Sequence, residues 1–481
     1  MAYRYGNRKQ IELLPASIED YVAEDAAVRV YDAFVDALDF GKLGILEDPH
    51  QVGNSEYDPR AMVKLLVYGY SYGIKSSRKL ERESHINLSF IWLLGGLKPD
   101  HKTIAEFRRR NRDSLAKVIR LCAELCLKLN LIDGNILFGD GTKFRANAGR
   151  GQSHDREYYQ KALSELELRI GGLLEECEAL DEAEQGWGSL VTVEKELAQA
   201  DRLKAVIAGV LKASEESGKQ VVNQTDPDCG LMRSIQGSHA SYNVQSVVDD
   251  KHGLIVHAEA VNEATDVNQF ARQVEQAQET LGKRCAVACA DAGYADTEEL
   301  GKIEAQGVKV IVPSQRQALH EPAKPFSKHE FGYDREPDCY YCPEGHRLKY
   351  EGRDKLTGRR HYRMEKAEHC LKCKHYGTCT SSKRGRKIIR LPNEELKEKL
   401  EARYEEVESQ WIYSRRKTRC EHPFGHIKRN LKTDAFMLRG LSGVQAETSL
   451  LATCFNLARM ITILGVKGLT EKLRMISWAA A

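Results

Sequence analysis

An α/β fold, with a sheet of mixed direction covered by helices, is what the 481-residue sequence predicts. Three observations carry that expectation. Apolar residues recur at helical spacing up to about residue 130, with no alternating strand pattern. Short apolar or alternating runs then appear at NILFGD (135–140), YNVQSVVD (242–249), LIVHAEAV (254–261), AVACAD (286–291) and KVIVPS (309–314). DKHG joins the second and third as an antiparallel hairpin, while helices separate the later runs, and that combination gives mixed strand directions.

The first 130 residues read as helices at 27–40, 60–74, 79–95 and 103–129, broken at Asp58-Pro59 and Gly95-Gly96. GIKSSRKLERE (73–83) and PDHKTIAEFRRRNRDSL (99–115) place small hydroxyls and then Lys or Arg at helix starts. That chemistry suits phosphate, and equally a solvated helical face. The charged stretch 154–220, with heptad-like leucines, predicts a helical hairpin inserted between strands, an ordinary surface insertion or a partial coiled coil. Further helices are expected at 266–281, 296–306, about 394–430 and 440–465, with a Cys-, Gly-, Tyr- and Lys/Arg-rich interruption at 325–390.

Composition narrows the function classes. Hydrophobic residues make up 42% and charged residues 30%, as in a soluble globular protein. No apolar run approaches the roughly 18 residues of a membrane span, and MAYRYGNRKQIELL is too polar for a secretory leader. A cytoplasmic chain is expected. Lys and Arg number 72 against 70 Asp and Glu, so a nucleic-acid partner has to be met by local basic patches. No GxxxxGK[ST] phosphate loop is present.

The carboxylates point to metal chemistry. FGD-GT and CAD-AGY read as strands ending on Asp140 and Asp291, which would project at one sheet edge. Each alone is an ordinary turn former or helix cap. Two together need a cation, and oxygen ligands select Mg²⁺ or Mn²⁺. A third carboxylate, Glu421, lies in the basic YSRRKTRCEHPFGHIKRN (413–430), seven residues before Lys428 and on the same helical face. His422 and His426 have the i, i+4 spacing of a zinc pair, but Pro423 and Gly425 between them argue for a helix start or kink. Asp226-Pro227-Asp228 reads as a strong turn.

Five of the thirteen cysteines fall between 339 and 379. Cys339-x2-Cys342 and Cys370-x2-Cys373, with Cys379 nearby, resemble a zinc ribbon in a reducing compartment. Spacing favours the two CxxC pairs, and His375 is a further option. Arg347, Lys349, Lys383, Arg384 and Arg386 surround them with a basic surface that fits DNA contact or plain solvation.

FGDGTKFRANA (138–148), ACADAGYAD (288–296) and YSRRKTRCEHPFGHIKRN together resemble the three signatures of bacterial insertion-sequence DDE transposases. YDPRAMVKLLVYGYSYG (57–73) is similar to the N-terminal domain of that group, and VNQTDPDCGLMRSIQGSHASYNVQSVVDD (222–250) and the cysteine-rich insertion to one subgroup. The resemblance implies a ribonuclease-H-like mixed sheet flanked by helices over 131–324 and 391–470. It adds an all-helical DNA-end-binding domain (1–130), a helical hairpin insertion (151–221) and a zinc-ribbon-like insertion (325–390). It implies Asp140, Asp291 and Glu421 as ligands of two Mg²⁺ or Mn²⁺ ions, and a structural Zn²⁺ on four of Cys339, Cys342, Cys370, Cys373 and Cys379, favouring the last four. Tyr413, Arg416 and Lys428 match the signature's DNA-contacting residues, with one extra residue between Arg416 and Glu421, so that Lys417 takes the Arg role or the helix adjusts. The implied activity is cleavage at transposon ends and 3′-OH strand transfer into target DNA. The implied partners are double-stranded terminal repeats and target DNA, bound by a homodimer in the nucleoid. A two-metal nuclease without strand transfer and an inactive DNA-binding derivative are the alternatives.

Overall fold

In the computed structural model, which describes residues 17–45, 56–182, 187–234, 237–320, 322 and 325–480, the strand expected at NILFGD does not stop at Asp140. It runs on as β1 (Ile136–Arg145). GTKFR continues the alternation of polar and apolar residues, so the backbone ladder extends past the carboxylate. The polar N-terminal stretch and the link at 183–186 within the helical hairpin lie outside the described residues.

The chain divides into two compact units. The first comprises Met1–Thr265, Glu275–Arg284 and Thr418–Ala481. After β1 come a two-stranded ribbon, β2 (Ser153–Asp155) and β3 (Val221–Asn223), then β4 (Gly230–Ser234), β5 (Gly237–Asp249) and β6 (Ile255–Val261). β5 pairs antiparallel with β1, β4 and β6, and Asp140 stands opposite Ser246 in mid-strand. The hairpin is two long helices, Arg156–Glu182 and Trp187–Ser217, packed on each other.

Short helices make up the N-terminal part, among them Pro59–Ser71 and His101–Arg110. Asp58 accepts from Arg60 N–H with Pro59 in the first turn, and Asp100 accepts from Thr103 N–H, so the sequence sets both starts. Helix Leu441–Leu464 packs against β6 and helix Pro59–Ser71. Two of its amides serve as a substitute strand for β6. Asn456 donates to Ile255 O (2.8 Å) and accepts from Ile255 N (2.8 Å), and Gln445 donates to Ala258 O (3.0 Å) and accepts from Ala260 N (2.7 Å). Backbone groups that an edge strand would leave open are thereby satisfied.

The second unit comprises Asp266–Val274 and Cys285–Lys417. Here β7 (Val287–Cys289) and β8 (Lys309–Ile311) pair in parallel, as helix-separated strands do, and helices Thr297–Glu304 and Glu394–Tyr404 pack on β8. The 325–390 interruption is more regular than its composition suggests. β9 (Gly332–Asp334), β10 (Cys339–Tyr341), β11 (Arg347–Arg353), β12 (Arg360–Met364) and β13 (Lys387–Arg390) form an antiparallel sheet over a core of Phe331, Tyr340, Leu348, Tyr362, Met364 and Ile388. Strands of both directions with covering helices make the fold mixed α/β. Among the described residues no single helix is long and apolar enough to cross a membrane.

Candidate active site

The first unit brings Asp140 and Lys428 to one place. Side chains alternate along β1, so Asp140, Thr142 and Phe144 share a face. After helix Val407–Arg429 the chain returns to the end of β1, where Arg145 N donates to Asp434 O (3.2 Å) and Phe436 N donates to Arg145 O (2.9 Å). That return seats the last turn of the helix on the β1 face. Lys428 Nζ donates to Thr142 Oγ1 (2.7 Å) and lies 4.8 Å from the centre of the Phe144 ring. Burial pushes the Lys428 ammonium below its usual range, and the charge of Asp140 acts in the opposite direction.

Glu421 is exposed on the same helix, which runs unbroken through Pro423 instead of starting or stopping there. His422 and His426 pack edge-on against Phe455, with ring centres 5.4 and 5.5 Å away. Burial lowers both imidazoles, as expected of packed neutral rings. Arg419 turns instead to Asp250 (3.5 Å).

The second unit surrounds Asp291 with different groups. β7 ends at Cys289, and Asp291 caps a short 3-10 turn by accepting from Gly293 N–H (2.8 Å). A Cβ on Gly293 would meet Asp291 Oδ1 at 2.9 Å and Asp266 Oδ2 at 3.8 Å, so both carboxylates flank this glycine. Asp266 escaped the sequence reading because it looks like the first residue of an amphipathic helix. The helix starts only at Phe270. Tyr413 is half-buried. Desolvation raises its phenol, Arg416 works against that, and the charges of Asp291 and Cys289 reinforce it. The Arg416 guanidinium stands 5.5 Å from the Tyr413 ring, while Lys417 is exposed. Burial pushes the Cys289 thiol to about 12. Among the described residues no three His, Cys, Asp or Glu side chains are gathered closely enough to hold a metal ion.

Asp226-Pro227-Asp228 caps a helix. Asp226 Oδ1 accepts from Tyr242 Oη (2.8 Å) and Gly440 N (3.2 Å), and Asp228 Oδ2 accepts from Leu441 N (2.8 Å), at the start of helix Leu441–Leu464. Two of the basic residues from the N-terminal motifs are also absorbed by the structure. Lys75 lies 3.6 Å from the fully buried Glu447 and donates to Ala435 O (3.1 Å), and the buried Arg108 donates to Lys75 O (2.7 Å).

Comparison with known families decides the class. A family model described as a transposase DDE domain matches residues 341–461, and one described as a transposase domain, DUF772, matches residues 16–110. Together these two matches indicate an insertion-sequence DDE transposase. No curated protein and no solved structure gives a match. The DDE match takes in Glu421 and Lys428, and four of the five clustered cysteines, from Cys342 to Cys379. DNA is the partner such a transposase implies, and divalent metal ions are the family's usual cofactors.

The cysteines of this transposase separate into two environments. Burial raises the Cys379 thiol; Arg386 opposes that, and Cys370, Cys342 and Cys373 are its sulfur neighbours. Backbone N–H groups point at three of these sulfurs: His346 to Cys342 (3.3 Å), His375 to Cys373 (3.5 Å) and Arg386 to Cys370 (3.4 Å). Cys339 is fully buried on β10 and has Tyr341 and Arg347 as its partners.

Proposed function

We propose that this transposase cuts DNA at transposon ends and joins the freed 3′-OH to target DNA, with Asp140, Asp291 and Glu421 as ligands of two divalent metal ions. Three carboxylates are a donor set that fits hard Mg²⁺ or Mn²⁺, and Asp266 beside Asp291 adds negative charge that a cation would offset. Bound ions would supply activation of the attacking oxygen and stabilisation of the leaving oxygen. The chain itself supplies positioning. Lys428, held at Thr142 on the Asp140 face of β1, presents an ammonium to a phosphate beside the carboxylate, and this placement is the observation that carries the reading. Arg416, against Tyr413, supplies a guanidinium near Asp291.

An antiparallel β1–β5–β6 meander, then helix-separated parallel β7–β8, is the strand sequence a ribonuclease-H-like core requires. That core would span 131–324 and 391–470, with DNA-end binding by 1–130, a hairpin insertion at 151–221 and a cysteine-rich insertion at 325–390. A structural zinc ion on Cys342, Cys370, Cys373 and Cys379 would require these side chains to draw closer than they stand here; the N–H groups aimed at the sulfurs of Cys342, Cys370 and Cys373 favour thiolates there. A homodimer on paired ends and a cytoplasmic, nucleoid-associated location complete the reading. Incubating the purified protein with its own flanking ends and Mg²⁺ tests it. Asp291→Asn should retain end binding and lose cleavage, and normal cleavage by that variant refutes the assignment. Joined molecules mark a transposase, whereas cut ends alone would mark a nuclease.

A further inference from the structure

Charge is distributed very unevenly along this chain. Between Arg347 and Arg390 fifteen Lys and Arg stand against four Asp and Glu, whereas the whole chain carries 72 against 70. Register turns that excess into a pattern. Lys349 on β11 lies directly opposite Arg363 on β12, and Arg363 lies directly opposite Lys387 on β13. Their neighbours Leu348, Tyr362, Met364 and Ile388 point into the core, so the three cations stand in one row on the outer face. At the adjoining register the exposed Arg347 faces the exposed Tyr341.

Like charges directly opposite each other on a sheet are destabilising. A sheet under no other demand would place acids in such a row. A second cationic row on the same strands does find acids: of Arg353, Arg360 and Arg390, Arg360 lies 3.7 Å from Asp338 and Arg390 lies 3.3 Å from Glu395. In the outer row Arg363 pairs with Glu351 (2.7 Å), whose carboxylate also feels the charge of Lys387, while among the described residues the exposed Lys349 and Lys387 form no ion pair within 4 Å. A local conflict of this kind is characteristic of a surface kept for a ligand. Three strands span about 10 Å, the length of several successive phosphates on a duplex.

We propose that the outer face of β10–β13 is a docking surface for the backbone of double-stranded DNA, with Lys349, Arg363 and Lys387 as its phosphate-binding row. The proposal rests on the reading of this chain as a DNA-acting enzyme. It adds a contact separate from the carboxylates and without base readout, because a flat row of cations reads phosphate and not sequence.

Fluorescence anisotropy of the full-length protein on a labelled duplex lacking transposon ends, across a series of salt concentrations, tests it. Lys349→Gln combined with Lys387→Gln should lower the slope of log affinity against log salt by about two, since each phosphate contact contributes about 0.9. Lys161→Gln combined with Lys212→Gln removes the same charge from the helical hairpin and should leave the slope unchanged. A wild-type slope in the first variant, or an equal fall in both, overturns the surface. In that case the transposase reading stands or falls on cleavage of end-bearing DNA by the same preparation. A wild-type protein that binds no duplex overturns both.

Discussion

Two sets of basic residues in this chain look alike as sequence and behave in opposite ways. Lys75 and Arg108 sit in motifs that suit phosphate, yet the fold folds them inward around the carboxylate of Glu447. Lys349, Arg363 and Lys387 come from a stretch that reads as irregular, yet the β11–β13 register lines them up on an open face. What separates the sets is the partner each was given. A buried acid makes Lys75 a structural tie, whereas Lys349 and Lys387 each stand directly opposite Arg363, whose own acid is Glu351.

The largest expected effect concerns the scaffold that displays the open row. If Cys342, Cys370, Cys373 and Cys379 hold zinc, Cys370→Ser should remove the metal and unfold the β9–β13 sheet, since structural zinc contributes about 10–16 kcal/mol in small domains. Cys339→Ser should keep full zinc content by elemental analysis. Equal metal loss in both variants would show that the two cysteine environments are not distinct.

Next is the buried set. Lys75→Met removes the cation 3.6 Å from Glu447, leaving Arg108 and the Met437 and Leu438 N–H groups around the buried carboxyl, and should cost about 3–5 kcal/mol in chemical denaturation at neutral pH. Burial holds the Glu447 carboxyl above its ordinary value. Its contribution is therefore present below the usual glutamate range and is lost as pH rises through the folded value. Acidification should restore part of the Lys75→Met deficit, and a deficit that is flat with pH would break the assignment. Asp226→Ala, which strands the Tyr242 hydroxyl and Gly440 N–H, should cost about 1–3 kcal/mol. The smallest effect belongs to the open row: Lys349→Gln should leave the melting temperature unchanged or slightly raised, because it removes a like-charge neighbour. A clear fall would mean that Lys349 is a structural tie as well.

The strand series and the hairpin were legible because alternation and the DKHG turn are local signals. Asp140 was legible as a residue but not as a position. NILFGD looks like a strand ending on a carboxylate, and only pairing with the long β5 shows that Gly141 to Arg145 continue the ladder. Pro423 reads as a helix break, yet the helix passes through it with its flanks anchored by Ile412, Cys420 and Ile427, all buried. Asp266 and Glu447 were invisible for a common reason. Each acquires its role from a partner distant in sequence, Gly293 for the first and Lys75 for the second, and no local pattern records such a pairing.

The central claim is that Asp140, Asp291 and Glu421 act as one metal-dependent set. Single-turnover cleavage of end-bearing DNA with Mg²⁺ tests it most directly, comparing wild type with Asp140→Asn, Asp291→Asn and Glu421→Gln at equal DNA occupancy. The account predicts cut and joined products from the wild type and neither product from any of the three variants. Wild-type rates in even one variant would contradict it.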